Sequence, residues 1–176
     1  MENTKKQLSS DELLEKIFHC MERLFEEKEL SGTLQLLTEL GKTLVNSDHA
    51  SFWFWDKKQH EIWTLAALDI SKITIPENTG VVGAAIMNNE LLVINDPYND
   101  PRFNSDVDKS SGYVTKSILT IPVTNSEGKV IGAYQAINKL DADGNDSSFN
   151  ETDIKRIKLA TAFCGKTLES HMLYSE

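Results

Sequence analysis

Apolar residues recur at three- and four-residue spacing at both ends of the chain, which is the pattern of amphipathic helices. The first stretch follows Ser10, a predicted N-cap, and runs to about residue 28. Further helices are predicted over about 33–46 and, near the C-terminal end, over about 150–173. The apolar stripe of the first helix is wider than packing on one side requires, and it consists of Leu13, Leu14, Ile17, Phe18, Met21, Leu24 and Phe25.

Between these helices the pattern changes to that of β-strands. Residues 51–56 are mostly aromatic and contain no Gly or Pro, which is typical of a strand. Strand alternation divides the side chains between two faces, with Ser51, Trp53 and Trp55 on one and Phe52 and Phe54 on the other. Further strands are predicted at 61–67, 70–75, 91–94, 117–123 and 129–138.

The remaining connections include one short helix and one long loop. The helix is predicted at 84–88, and the polar loop at 95–112 has a length that is typical of a lid or a binding loop. Strands in the middle of the chain and helices at its two ends predict an α+β fold. We expect an antiparallel sheet that the terminal helices cover on one face.

Composition narrows the class of protein. The chain has 176 residues, with 18 Lys and Arg against 27 Asp and Glu, and a formal net charge of −9. This length predicts one domain, and the acidic balance argues against nucleic acid or an anionic membrane surface as a partner. The longest apolar runs are far shorter than the roughly 18 residues of a membrane span. No signal-peptide pattern is visible and there are only two cysteines, so we expect a cytoplasmic protein.

The sequence contains no cluster of residues with catalytic or metal-binding spacing. The four histidines are scattered, and both cysteines, Cys20 and Cys164, lie in predicted helices where small buried residues need no reactivity. Residues 141–147 alternate like calcium ligands, but Asp146 replaces the turn glycine and Thr152 the final glutamate. We interpret this stretch as a solvated turn, and we expect no enzymatic activity and no metal site.

An ordered set of motifs lies between residues 80 and 139. It comprises GVVG at 80–83, DPRFN at 100–104, VD at 107–108, GYVTKSIL at 112–119, Pro122, GKVIG at 128–132 and NK at 138–139. Over roughly residues 33–173 the chain resembles GAF domains of the kind that regulate cyclic-nucleotide phosphodiesterases and some adenylyl cyclases. The resemblance also includes a family signature, to which Asn138, Lys139, Phe149 and Asp153 correspond.

The resemblance implies a more detailed architecture. We expect a six-stranded antiparallel sheet with the N- and C-terminal helices on one face and a lid of short helices and loops over a ligand pocket on the other. The chain would divide into a disordered N-terminus at 1–10, a connecting or dimerisation helix at 11–30 and the GAF domain at 31–176. In the family the signature Lys and Asp join the sheet to the last helix without touching ligand, although Ile154 here replaces the signature Glu.

The resemblance further implies a cyclic nucleotide, cAMP or cGMP, as ligand, with no other cofactor required. The start of the short helix suits its phosphate, because the first backbone N–H groups of a helix have no partner inside the helix. Asp108 corresponds to a position that reads the base edge, and the alternative is that it caps the lid helix. For Thr115 the alternative is a plain strand role. The positions carried over are Ser51, Val81, Val82, Asp108, Ser111, Thr115 and Gln135.

The expected function is a non-enzymatic sensory module with a lid at 95–116. In related tandem proteins the first and last helices form a parallel dimer and lead into an effector domain, so we expect a homodimer and an effector in the same chain or another. The alternative is a ligand-free dimerisation and signal-transmission module, with Trp53 and Trp55 filling the pocket. A free-methionine sulfoxide reductase or a bilin-binding domain on this scaffold needs cysteines near the lid or pocket, and both cysteines lie elsewhere.

Overall fold

The computed structural model describes residues 8–65 and 72–173, and side chains up to residue 170. Five α-helices occur in this part of the chain: α1 (Ser10–Glu26), α2 (Leu30–Val45), α3 (Gly80–Asn88), α4 (Asp106–Ser111) and α5 (Glu151–Leu173). Six strands accompany them: β1 (Ser47–Asp56), β2 (Glu61–Leu65), β3 (Lys72–Pro76), β4 (Leu92–Ile94), β5 (Ile118–Thr124) and β6 (Val130–Lys139). None of the helices in these ranges combines the length and the apolar composition of a membrane span.

All six strands belong to one sheet, in the order β3-β2-β1-β6-β5-β4. Each neighbouring pair is antiparallel, and β1 and β6 form its centre. The helices α2 and α5 pack on one face, and α1 packs against α2. The predicted α+β fold with a six-stranded antiparallel sheet and terminal helices on one face is therefore confirmed.

The two faces of the sheet have separate hydrophobic cores. On the face of α2 and α5, Phe52 and Phe54 belong to a large buried cluster with Leu37, Tyr134, Ile157 and Leu168. On the other face, Trp53 and Trp55 pack against a smaller cluster of Ile62, Val82, Ile86, Val130 and Ala133. The alternation predicted for residues 51–56 is confirmed.

Several predicted boundaries differ from the structure, and the first lies at α1. The N-cap is Ser9 rather than Ser10, because Glu12 stands three residues after Ser9 and completes a capping box. The Ser9 hydroxyl accepts from the Glu12 N–H at 3.2 Å, and the Ser9 N–H donates to the Glu12 carboxylate at 2.7 Å. Of the predicted disordered segment, residues 1–7 lie outside the described residues, whereas Ser10 is helical.

Three other elements begin earlier than predicted. Strand β1 begins at Ser47, because its pairing with β6 runs from Ser47 opposite Lys139 to Phe54 opposite Gly132. Helix α2 begins at Leu30 rather than at about residue 33, so it includes Ser31 and Gly32. Helix α3 begins at Gly80 rather than at residue 84. The predicted strand ends at 66–67 and 70–71 lie outside the described residues.

A buried ion pair joins the sheet to the last helix. Lys139 at the end of β6 donates from Nζ to the Asp153 carboxylate of α5 at 2.8 Å and to the carbonyl of Val45 at 2.7 Å. Only 8% of Lys139 and 2% of Asp153 are exposed. The second Asp153 oxygen accepts from the N–H of Asn150 at 2.9 Å, so the carboxylate also caps the start of α5.

Asn138, the signature residue before Lys139, forms side-chain hydrogen bonds to the last residues of the lid. Its backbone has a φ of +58°, which asparagine tolerates better than most residues. Its side-chain oxygen accepts from the N–H groups of Lys116 and Ser117, and its amide donates to the Val114 carbonyl and the Tyr113 hydroxyl. The signature residues therefore contact the sheet, α5 and the segment that leaves the lid.

We predict that Asp153→Ala lowers the free energy of unfolding by about 3–5 kcal/mol, because the Lys139 ammonium group would remain buried without its counter-charge. Urea denaturation followed by circular dichroism measures the change. The matched control is Glu127→Ala, which removes the carboxylate from an exposed pair with Lys129 and should leave the unfolding midpoint where it is. Equal effects of the two substitutions would contradict the assigned role of the pair.

Candidate functional site

Helix α3 packs on the sheet face opposite the terminal helices, and Phe103 of the lid segment, residues 95–116, packs beside it. Helix α3 contributes Val82 and Ile86 to one cluster on this face. It contributes Val81 and Ala85 to a second cluster, with Leu92, Ile94 and Ile118. The valine pair at the start of α3 thus packs its side chains on the sheet, which explains why this segment is helical rather than a turn.

The first turn of α3 presents backbone donors near this buried face. Gly80 has a φ of +66°, a conformation that glycine adopts without strain. The N–H of Gly83 donates to the Thr79 carbonyl at 3.0 Å, so the N–H groups of Val81 and Val82 precede the first intrahelical bonds. Both valines are 4% exposed. The helix therefore starts at these positions, four residues before the predicted start at residue 84.

A row of polar side chains crosses the centre of the same face. Ser51 on β1 is opposite Gln135 on β6, which is opposite Thr120 on β5. The Gln135 amide donates to the Thr120 hydroxyl at 3.0 Å, and the Ser51 hydroxyl accepts from the Trp53 indole N–H at 3.0 Å. Thr120 is fully buried and Gln135 is 9% exposed. Thr120 was not predicted as a site residue; the only signal was a polar residue in an apolar strand.

Asp108 binds other residues of the lid. Its Oδ2 atom accepts from the Tyr98 hydroxyl at 2.8 Å and from the Thr115 N–H at 2.7 Å, and its Oδ1 atom accepts from the Thr115 hydroxyl at 2.9 Å. Asp108 and Thr115 are 6% and 4% exposed. The carboxylate raises the pKa of the Tyr98 phenol, chiefly through this hydrogen bond. We call this arrangement of Asp108, Thr115 and Tyr98 the lid latch.

A second contact anchors the part of the lid that follows α4 in the chain. The Tyr113 hydroxyl donates to the Asp48 carboxylate of β1 at 2.8 Å and accepts from the Asn138 amide at 2.9 Å. Burial, followed by the hydrogen bond to Asp48, raises the pKa of Tyr113 far above its ordinary value. Ser111 lies nearby but is exposed, and its hydroxyl donates to the Val107 carbonyl at 2.8 Å. The structure therefore pairs Ser51 with Gln135 and Asp108 with Thr115, and it leaves Ser111 on the surface.

A cavity of about 580 Å³ lies beside β1, outside the area under the lid latch. It is bounded by α2, by the connection before α2 and by the ends of β2 and β3. Of the seven predicted ligand residues it includes only Ser51. Its lining combines apolar side chains with five uncharged polar residues and three glutamates at 27, 29 and 39. Its size falls in the usual range of ligand pockets, but its position does not match the predicted site.

Neither metal nor thiol chemistry is apparent in the described part of the chain. No group of His, Cys, Asp or Glu within residues 8–65 and 72–170 is arranged to hold a metal ion. The Asp141 carboxylate accepts from the N–H groups of Asp143 and Asn145, both at 2.9 Å, as in an ordinary turn. Burial raises the pKa of the Cys164 thiol on α5 to about 12 and also that of Cys20 on α1. Both thiols lie with the terminal helices, on the sheet face away from the lid.

Comparison with known proteins identifies the family. The family model of the GAF domain matches residues 29–168. The chain belongs to the GAF domain family. It is 34% identical, over 111 residues, to the dual 3',5'-cyclic-AMP and -GMP phosphodiesterase 11A of Takifugu rubripes. That alignment covers 63% of this chain but only 12% of the phosphodiesterase.

Solved structures support the same fold at low sequence identity. A GAF domain from the Acinetobacter phosphoenolpyruvate-protein phosphotransferase superposes with a TM-score of 0.74 at 13% identity, covering 96% of this chain and 99% of its own. Free methionine-R-sulfoxide reductase from Neisseria meningitidis gives 0.71 at 18% identity, covering 99% of both chains. The GAF assignment makes the chain a regulatory or sensory module, on a scaffold that some enzymes share.

We predict that Asp108→Ala opens the lid, because two donors of the buried Thr115 would lose their partner. We expect a loss of about 2–3 kcal/mol in unfolding free energy and faster amide exchange at Thr115. Hydrogen exchange measured by NMR or mass spectrometry reports this change. Tyr98→Phe is the matched variant with a smaller expected effect, since it leaves both Thr115 bonds intact. Unchanged exchange at Thr115 in Asp108→Ala would refute the lid latch.

Proposed function

We propose that this GAF domain is a sensory module that binds a cyclic nucleotide, cAMP or cGMP, beneath the lid. The proposal is carried by the polar row of Ser51, Gln135 and Thr120 on the sheet face where α3 packs, because Gln135 and Thr120 are buried there. Packing alone would favour apolar side chains there, whereas amide and hydroxyl groups suit a ligand with polar edges. The similarity to a segment of the phosphodiesterase 11A supports a cyclic nucleotide as this ligand.

The start of α3 is the proposed phosphate site. The free N–H groups of Val81 and Val82 and the positive end of the helix dipole favour an anion, so no arginine is required. The polar row beside it offers hydroxyl and amide groups to the ribose and the base. In a chain with a net charge of −9, such local donors allow binding of one small anion.

The lid latch is the proposed moving part. Asp108 accepts three hydrogen bonds from Thr115 and Tyr98, and we propose that a nucleotide that contacts Asp108 or Thr115 replaces at least one of them. Binding would therefore exchange a lid–lid contact for a lid–ligand contact. Such an exchange changes the preferred position of the lid, which is what a ligand-driven shift of conformation requires.

Asn95 offers a route from the lid to α5. Its side chain accepts from the N–H of Phe149 at 3.0 Å and donates to the Phe149 carbonyl at 3.3 Å. Asn95 begins the lid segment, and Phe149 stands two residues before α5. We propose that lid movement reaches α5 through this contact and continues through the terminal helices, α1 and α5, to an effector domain in the same chain or another.

Isothermal titration calorimetry with cAMP and cGMP tests the proposal. We expect saturable binding of at least one nucleotide by the full chain, and weaker binding, by about threefold to tenfold, in Gln135→Leu, which removes one hydrogen-bonding group from the pocket. Gln59→Leu, in the exposed turn between β1 and β2, is the matched control and should bind as the wild type does. Absence of heat and of a melting shift at millimolar nucleotide would refute cyclic-nucleotide binding.

A second candidate function is ligand-free signal transmission. The observation that favours it is the packing of Trp53 and Trp55 against the cluster beneath α3, with the Trp53 indole bonded to Ser51. In this case the domain would respond to forces between its terminal helices rather than to a small molecule. The sulfoxide reductase reaction receives no support, because both cysteines lie on the opposite face of the sheet.

Trp53→Ala distinguishes the two candidates. If Trp53 fills a pocket that would otherwise be open, the truncation creates space next to Ser51, and nucleotide affinity should rise from undetectable to measurable. If the wild-type pocket already binds nucleotide, the truncation should leave affinity equal or reduce it. Calorimetry on both proteins, with thermal unfolding as a check that the variant folds, measures the difference.

A further inference from the structure

The cavity beside β1 lies next to the short ladder between β1 and β2. Strand β2 pairs with β1 from Phe54 to Asp56, whereas β1 itself begins at Ser47. Beside this ladder the Thr64 hydroxyl donates to the Phe52 carbonyl at 2.6 Å. Residues 50–53 of β1 therefore line a space that reaches α2 and has a volume of about 580 Å³. A space of this size can hold a small organic molecule.

The inner walls of this cavity are largely apolar. Leu34 of α2 and Phe52 of β1 both line it, and they are 5% and 3% exposed. The ring of Trp53 is a further wall, and its indole N–H donates to the Ser51 hydroxyl at 3.0 Å. The hydroxyls of Ser51 and Thr64 thus already form hydrogen bonds within the sheet. This end of the cavity suits the apolar or aromatic part of a ligand.

The mouth of the cavity is acidic. Glu27, Glu29 and Glu39 line it, and Glu27 is half-buried whereas the other two are exposed. The described lining contains no Lys, Arg or His. None of the three carboxylates forms an ion pair within residues 8–65 and 72–170. The charge of this mouth is therefore complementary to a cation.

The Glu27 carboxylate is held in place at this mouth. Its Oε1 atom accepts from the N–H groups of Lys28 and Glu29, both at 2.9 Å. Its Oε2 atom lies against Gly32 in the first turn of α2, where a Cβ atom would collide with it. Gly32 thus leaves room for the carboxylate, although glycine is a poor helix former. The Oε2 atom accepts no hydrogen bond from the described residues, so it is available to a ligand.

We propose that this cavity binds a small organic ammonium ion, with its ammonium group at Glu27 and its apolar or aromatic body against Phe52 and Trp53. A hydrogen bond between an ammonium group and a carboxylate is charge-assisted, and the half-buried position of Glu27 weakens the screening by water. The face of the Trp53 indole ring adds attraction for a cation. The net charge of −9 also raises the local concentration of cations around the chain.

This site is separate from the proposed nucleotide site. The two share Ser51, but the start of α3, the lid latch and the buried pair of Gln135 and Thr120 are not part of the cavity lining. An anionic nucleotide and an organic cation also require opposite charge in their surroundings, which the helix start at α3 and the three glutamates supply respectively. The inference therefore does not depend on nucleotide binding, and each site can be tested without the other.

Calorimetry and NMR titration of the full chain with 2-phenylethylamine, without nucleotide, test the proposal. We expect saturable binding of this amine, with amide shift changes concentrated in α2 and in residues 50–53 of β1. The uncharged 2-phenylethanol and the anionic 3-phenylpropanoate have the same aromatic body and should bind more weakly by about tenfold or more, because they lack the ammonium group. Methylammonium lacks the aromatic body and should also bind more weakly by about tenfold or more.

Two variants test the role of Glu27. Glu27→Gln removes its charge, and Gly32→Ala displaces its carboxylate while it introduces a better helix former into α2. Each should weaken binding of the amine by about tenfold, and thermal unfolding checks that both variants fold. The matched control is Glu26→Gln, which makes the same charge change at an exposed neighbour that does not line the cavity, and it should bind as the wild type does.

Three results would overturn the proposal. The first is absence of saturable binding of 2-phenylethylamine at millimolar concentration. The second is equal binding of methylammonium, or an equal loss of affinity in Glu26→Gln and Glu27→Gln, since either indicates general attraction of cations to an acidic surface. The third is wild-type affinity in both Glu27→Gln and Gly32→Ala. None of these results affects the titration with cAMP and cGMP, which tests the proposed function by itself.

Discussion

Lys139 places its ammonium group in the protein interior, where a charge is costly unless it is fully paired. Asp153 at the start of α5 and the Val45 carbonyl at the end of α2 supply the pairing, at 2.8 and 2.7 Å. One charge on β6 thus fixes two helices at the same end of the sheet. Both helices are needed to bury Phe52 and Phe54, so the core on that face depends on this pairing.

The candidate site and helix α5 approach one another at this same end of the sheet. Asn95 at the beginning of the lid holds both backbone groups of Phe149, four residues before Asp153. Because Lys139 fixes the first turn of α5, a displacement at Phe149 acts on a rigid helix rather than on a frayed end. This is a physical connection between the lid and α5, and coupling along it requires that the lid have two positions.

Periodicity in the sequence was sufficient to predict which side chains of β1 lie on each face of the sheet. The alternation of Trp53 with Phe52 and Phe54 is a local pattern. Periodicity was insufficient for the start of α3, where the valines become helical by packing on the sheet. The candidate site depends still more on long-range structure. Thr120 joins Gln135 only through strand register, which an apolar run does not specify by itself.

The distribution of charge matters more here than its sum. A net charge of −9 argues against polyanions as partners, but it does not describe the potential at a single helix terminus. The N–H groups of Val81 and Val82 precede the first intrahelical bonds of α3, and the positive end of the helix dipole lies at the same place. A net acidic chain therefore still presents local hydrogen-bond donors on the sheet face where α3 packs, because the effect of the dipole is confined to the first turn of the helix.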